Sequence, residues 1–156
     1  MQGEGRMLNG AGPVCGPAWA SALPEGEQGR VRACADDLLQ RLLITVPSCR
    51  FVSLSTLDGR SAAMAGALTA ASAPRVAAMT SSFLALSETL AWETTSGRSS
   101  YVTLASSDGL VVIARVPTRL PAYALSACAD DEAVLALLLR RTLDTVTALA
   151  ERLDRR

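Results

Sequence analysis

Histidine and lysine are both missing from this chain of 156 residues. The first absence removes the usual general acid or base at neutral pH, the commonest zinc ligand and every Ser-His or Cys-His nucleophile pair. The second removes the alternative base for a serine or threonine nucleophile, and no Gly-x-Ser-x-Gly elbow occurs. Aromatic residues are few, two each of Trp, Tyr and Phe, which leaves little to stack on nucleic-acid bases. Fifteen arginines face fifteen acidic residues for a net charge of zero, so there is no basic footprint for nucleic acid or for an anionic membrane. Four cysteines, Cys15, Cys34, Cys49 and Cys128, have no C-x-x-C spacing. With no secretory signal, they are expected as reduced thiols of a cytoplasmic protein, Cys34 and Cys128 being small core residues. No catalytic residue, cofactor or metal is expected, and the chain is not expected to be an enzyme.

What is present is a globular composition, 49% hydrophobic and 19% charged, with the length of one domain. Arginine supplies all the basic charge amid abundant Ala and Leu, the coding bias of a GC-rich bacterial genome. Residues 1–28 include Gly3, Gly5, Gly10, Gly12, Gly16 and Gly26 with Pro13, Pro17 and Pro24. Such a mixture resists regular structure and is expected to be a flexible amino-terminal tail. Its apolar residues form no run long enough for a secretory or membrane segment. The folded domain is expected over residues 29–156.

Two Asp-Gly pairs punctuate that domain. Asp58-Gly59 lies between Arg50–Leu57 and Arg60–Ala65, and Asp108-Gly109 lies between Tyr101–Ser107 and Leu110–Val116. Asp-Gly between extended segments is the strongest short-range hairpin signal, because Gly accepts the positive φ of a tight turn. A fifth strand is expected over Ala122–Ala127, after a connection bracketed by Pro117 and Pro121. Helical periodicity predicts a first helix over about Gln28–Thr45, with Val31, Cys34 or Ala35, Leu38, Leu42 and Thr45 inward and Pro47 ending it. It predicts a last helix opened by Asp130, Asp131 and Glu132, with a stripe of Val134, Leu135, Leu138, Thr142, Val146, Leu149 and Leu153.

The central segment, about Ala73 to Thr95, is the most informative. Pro74 suits a first helical turn, and Gly97 is expected to break the helix. Val76, Met79, Phe83, Leu86 and Leu90 form one stripe expected to cover the sheet, with Phe83, Leu86 and Leu90 in the core. The other side carries Ala78, Ala85 and Trp92, and between Val76 and Trp92 only Glu88 is charged. A helix without a charged face is normally buried. So short a chain has little left to cover it, and a second copy is the expected cover. Ser81, Ser82, Ala85, Glu88 and Trp92 are the candidate dimer or partner interface, joined by Arg98 in the following loop.

The resulting order is α-β-β-α-β-β-β-α, an α/β (α+β) chain with a five-stranded antiparallel sheet flanked by helices. That order resembles the roadblock/dynein light chain family of longin-like modules. The likeness covers about residues 30 to 153 and is carried by Leu54-Ser55-Thr56-Leu57-Asp58-Gly59-Arg60, by Ala77-Ala78-Met79, by Ser107-Asp108-Gly109-Leu110-Val111-Val112 and by the closing Leu-rich helix. It implies a homodimer whose sheets join and whose central helices lie side by side. It also implies a Ras-like small GTPase as partner, its nucleotide state biased by a non-enzymatic regulator. Arg98 and Arg60 are the exposed candidates for an arginine supplied in trans. The alternative is a small-molecule sensory or scaffold module of profilin-like fold with no GTPase partner.

Overall fold

Eight elements follow one another in the expected order: α1 (Glu25–Thr45), β1 (Cys49–Thr56), β2 (Ser61–Gly66), α2 (Ala73–Thr95), β3 (Tyr101–Ser106), β4 (Gly109–Val116), β5 (Tyr123–Asp130) and α3 (Leu135–Asp154). The computed structural model describes residues 24–119 and 122–155. Most of the expected tail, and Leu120 and Pro121 of the connection, therefore lie outside the described residues. The strands form one sheet in the order β2-β1-β5-β4-β3, and every neighbouring pair is antiparallel.

Period-two alternation sorts the sheet into two unequal faces. Val52 and Leu54 of β1, Val112, Ala114 and Val116 of β4, and Tyr123, Leu125, Ala127 and Ala129 of β5 point to one side. There they meet Val31, Ala35, Leu39 and Leu42 of α1 and Leu138, Val146 and Leu149 of α3 in the main core. The Tyr123 hydroxyl is driven to a higher pKa by burial and by Glu27 beside it. Between the two helices Arg152 Nη1 lies 2.5 Å from Asp37 Oδ1. That hydrogen bond holds the Asp37 carboxyl below its ordinary value, so its contribution is present at neutral pH and is lost as pH falls through the lowered value. The other face carries only α2, over a small cluster of Leu84, Ile113 and Ala124.

Several local expectations are corrected. Helix α1 starts at Glu25, ahead of Gln28, because Pro24 precedes it and Glu25 and Glu27 place negative charge in its first turn. Thr45 is exposed, and Cys34 and Cys128 are half-buried, outside the fully buried core. In the first hairpin Gly59 takes φ +87° and packs against α2, its missing Cβ 3.2 Å from Ala78 Cα. In the second hairpin the turn residues are Ser107 and Asp108, and Gly109 is already the first residue of β4. Glycine is needed there because a Cβ would run into the Ala129 carbonyl oxygen of the adjacent strand. Asp130 ends β5 and opens no helix. Its carboxylate accepts the Glu132 N–H at 3.1 Å in a turn, and α3 starts at Leu135 with Val134 and Leu135 exposed.

Helix α2 ends at Thr95 and is capped by Ser96, ahead of Gly97. Ser96 sits in the left-handed region at φ 55°, ψ 22°, and its N–H reaches the Trp92 carbonyl at 3.2 Å. A residue with a Cβ is strained in that position. Ser96→Gly is expected to raise the unfolding free energy by about 0.5–1 kcal/mol, measured by urea denaturation; an unchanged or lowered midpoint would contradict it.

Candidate interaction face

Helix α2 presents its residues in stripes of 3-4 spacing. Ala73, Ala77, Thr80 and Leu84 are buried against the sheet. The sheet answers with equally small groups, Ser53 and Ser55 of β1 and Ala124 and Ser126 of β5, all buried. Small residues on both sides of the seam let helix and strands approach closely. The expected sheet-facing stripe is therefore corrected: Met79 is 50% exposed, Phe83 43%, Leu86 68% and Leu90 64%. These side chains are too large for the seam and lie from about a quarter to two-fifths of a turn round the helix from it, Met79 and Phe83 flanking the outer strands.

The uncovered strands complete this face. Val102 and Leu104 of β3 pair with Ile113 and Val111 of β4 on the α2 side. Leu104, Val111 and Ile113, with Met79 and Phe83, border an apolar groove of about 190 Å³, floored by Phe51 and Ser126. Strand β3 is one edge of the sheet, β2 being the other. Its sequence Tyr-Val-Thr-Leu-Ala-Ser is largely exposed and holds no charge and no proline, so nothing blocks the pairing of its free backbone groups with another strand.

The predicted interface residues divide. Ser82, Ala85 and Trp92 are exposed on the outward side of α2, and Trp92 is 66% exposed. Ser81 instead faces the first hairpin, its Oγ 3.2 Å from the position a Cβ on Gly59 would take. Glu88 is engaged by Arg115 of β4, whose Nη2 and Nε lie 2.5 and 2.7 Å from Oε1. Glu88, Trp92, Arg98 and Arg115 line a cleft of about 310 Å³ at the end of α2. Arg98 is exposed there, whereas Arg60 is held 3.2 Å from Asp58 Oδ2. The large apolar residues Met79, Phe83, Leu86 and Leu90 were missed as surface residues; their 3-4 spacing was visible, but its direction was not.

Chemistry is sparse elsewhere. Among the described residues no group of Cys, Asp or Glu could hold a metal ion, and no helix is long and apolar enough to cross a membrane. Cys49 lies opposite Ala129 and packs on the main core, whereas Cys128 lies opposite Phe51. The register thus turns the two thiols to different faces of the sheet. Burial pushes the Cys49 thiol up to about 11, which keeps it protonated and unreactive at neutral pH.

No protein-family model matches the sequence, and no curated protein does. Solved structures do match. A Roadblock/LC7 domain from Streptomyces avermitilis superposes with TM-score 0.70 at 23% identity, over 76% of this chain and 96% of that one. Myxococcus xanthus MglB gives TM-score 0.65 at 17% identity, over 84% and 92%. The Thermus thermophilus gliding protein MglB gives 0.67 at 16%, over 85% and 94%.

The seam under α2 carries its own test. The Ser53 hydroxyl is buried and has no hydrogen-bond partner among the described residues. An unmet buried hydroxyl is destabilising, so Ser53→Ala is expected to stabilise the fold by about 1 kcal/mol. A lower melting temperature in the variant would show instead that the hydroxyl is satisfied.

Proposed function

We propose that this chain, which has the Roadblock/LC7 fold, works as a homodimeric, non-enzymatic adaptor that binds a Ras-like small GTPase and biases its nucleotide state. One observation carries the dimer: an apolar stripe on α2 runs beside an unblocked edge strand. The spacing of Val76, Met79, Phe83, Leu86 and Leu90 suits a second helix packed nearly alongside, in the 3-4 ridge-and-groove manner. A second copy supplies both that helix and a strand to extend β3.

Dimerisation through the stripe leaves the outward side of each α2 open. Ser82, Ala85 and Trp92 lie there, two such surfaces side by side. An exposed Trp beside small residues, with Arg75 and Glu93 at the two ends, suits a protein partner, since Trp is enriched among interface anchors. The GTPase enters through the family likeness of the hairpins and central helix, supported by the shared fold. Bias follows from linkage: an adaptor that grips one switch conformation more tightly shifts the GTPase toward it by that difference in affinity. The alternative sensory module draws on the apolar groove, which a small apolar molecule would fill in a monomer.

Light scattering with and without a small GTPase from the same organism separates these possibilities. The chain is expected to be a dimer at low micromolar concentration and to gain mass with the GTPase in one nucleotide state only. Leu86→Arg places a charge in the apolar stripe and is expected to weaken the dimer by about thirtyfold or more. Ala85→Arg is expected to leave the dimer intact and abolish GTPase binding. A wild-type monomer that ignores the GTPase in both states, and is stabilised by an apolar metabolite, would transfer the function to the sensory module.

A further inference from the structure

Two exposed ions of opposite sign flank the open edge strand. Arg98 stands just before β3 and Asp108 just beyond it, and neither makes an ion pair among the described residues. We propose that Asp108 of a second copy closes on Arg98 in the cleft beside Trp92, so that two symmetric ion pairs fix the register in which the two β3 strands join. This inference rests on the dimer proposed above and adds its pairing and its charged lock.

The register follows from geometry. Residues directly opposite each other in an antiparallel pair share one face of the sheet. Val102 and Leu104 face α2. If both copies are to carry α2 on the same face, Val102 and Leu104 must meet residues of that same set. The two-fold axis then passes beside a residue and not between two. For a strand of Tyr101–Ser106 the central choices are Thr103 and Leu104. With Thr103 on the axis, Val102 faces Leu104 of the second copy and Tyr101 faces Ala105, which brings Arg98, three residues before β3, and Asp108, two residues after it, to the same end of the joint. With Leu104 on the axis the second copy is displaced by two residues, and uncharged Ser100 takes the place of Arg98 beside the Asp108 end. Charge selects Thr103.

The cleft suits a single carboxylate. Arg115 is already matched by Glu88 through Nη2 and Nε, which leaves one uncompensated positive charge, that of Arg98. The carbonyl end of α2 adds partial negative charge close by, so a doubly charged anion is poorly matched there. Trp92 walls the cleft and would partly shield the pair from water, where it is worth more than an open surface pair. Ser99, pinned to Ser87 at 3.1 Å, holds the loop that carries Arg98 against α2.

Charge exchange and cross-linking test the pairing. Arg98→Asp and Asp108→Arg are each expected to weaken dimerisation by about tenfold, and the double exchange R98D/D108R to return it to within about threefold of the parent. Opposed residues have Cα atoms about 4.5–5.5 Å apart, within disulfide reach. Thr103→Cys is therefore expected to cross-link on oxidation, measured against the parent chain, and Leu104→Cys to stay uncross-linked. A dimer in which the double exchange fails to recover, or in which Leu104→Cys cross-links in place of Thr103→Cys, would overturn this pairing and leave the adaptor intact. A parent chain that is monomeric would overturn both.

Discussion

The close seat of α2 on the sheet organises the rest of the molecule. Serine and alanine line β1 and β5 beneath it, with Ile113 of β4 under Leu84, and alanine, threonine and a single leucine line the helix. With so little bulk between them, the larger side chains of α2 have no room below and are turned outward along one flank. Full burial of a side chain such as Leu or Phe is worth about 1.5–3 kcal/mol, and a monomer forgoes most of that for Leu86 and Leu90 and a little under half for Phe83. Contact with another molecule recovers it. The opposite face of the sheet shows the contrasting solution, where two amphipathic helices cover the strands and leave their charged sides to solvent.

Polarity confines association to one flank. Helices α1 and α3 expose Arg32, Asp36, Arg140 and Asp144 and are bridged by Asp37 and Arg152, so a partner landing there would have to strip water from many ions. Along α2 and β3 the only ion pair is Glu88 with Arg115 among the described residues, and it ties the helix to β4. The edge strand offers backbone hydrogen bonds without any of the devices that normally deter a visiting strand. Directional hydrogen bonding from β3 and non-directional apolar contact from α2 thus lie side by side. The first sets alignment and the second supplies most of the driving force.

Local chemistry made much of this legible in the sequence. The hairpins could be read from Asp-Gly between alternating runs, the first and last helices from their periodicity, and the sheet from the order of elements. Errors fell where two neighbouring residues compete for one role. Ser107 and Asp108 make the turn that Asp108 and Gly109 were expected to make, because Gly109 is needed for its close approach to β5. Ser96 takes the left-handed position in place of Gly97. The acidic run Asp130-Asp131-Glu132 serves a strand end and a turn, and gives no helix start.

The chain's pattern alone determined that α2 is a long helix without a charged face and that such a helix needs cover on more than one side. It could not say which stripe meets the sheet, because periodicity identifies apolar stripes and not their direction, and size favoured the larger one. The tertiary structure decided the matter through the strands: Ser53, Ser55 and Ser126 leave a shallow seat that only the small stripe fits. The same choice placed Met79 and Phe83 beside Leu104 of β3, a neighbourhood that depends on contacts between residues far apart in the chain.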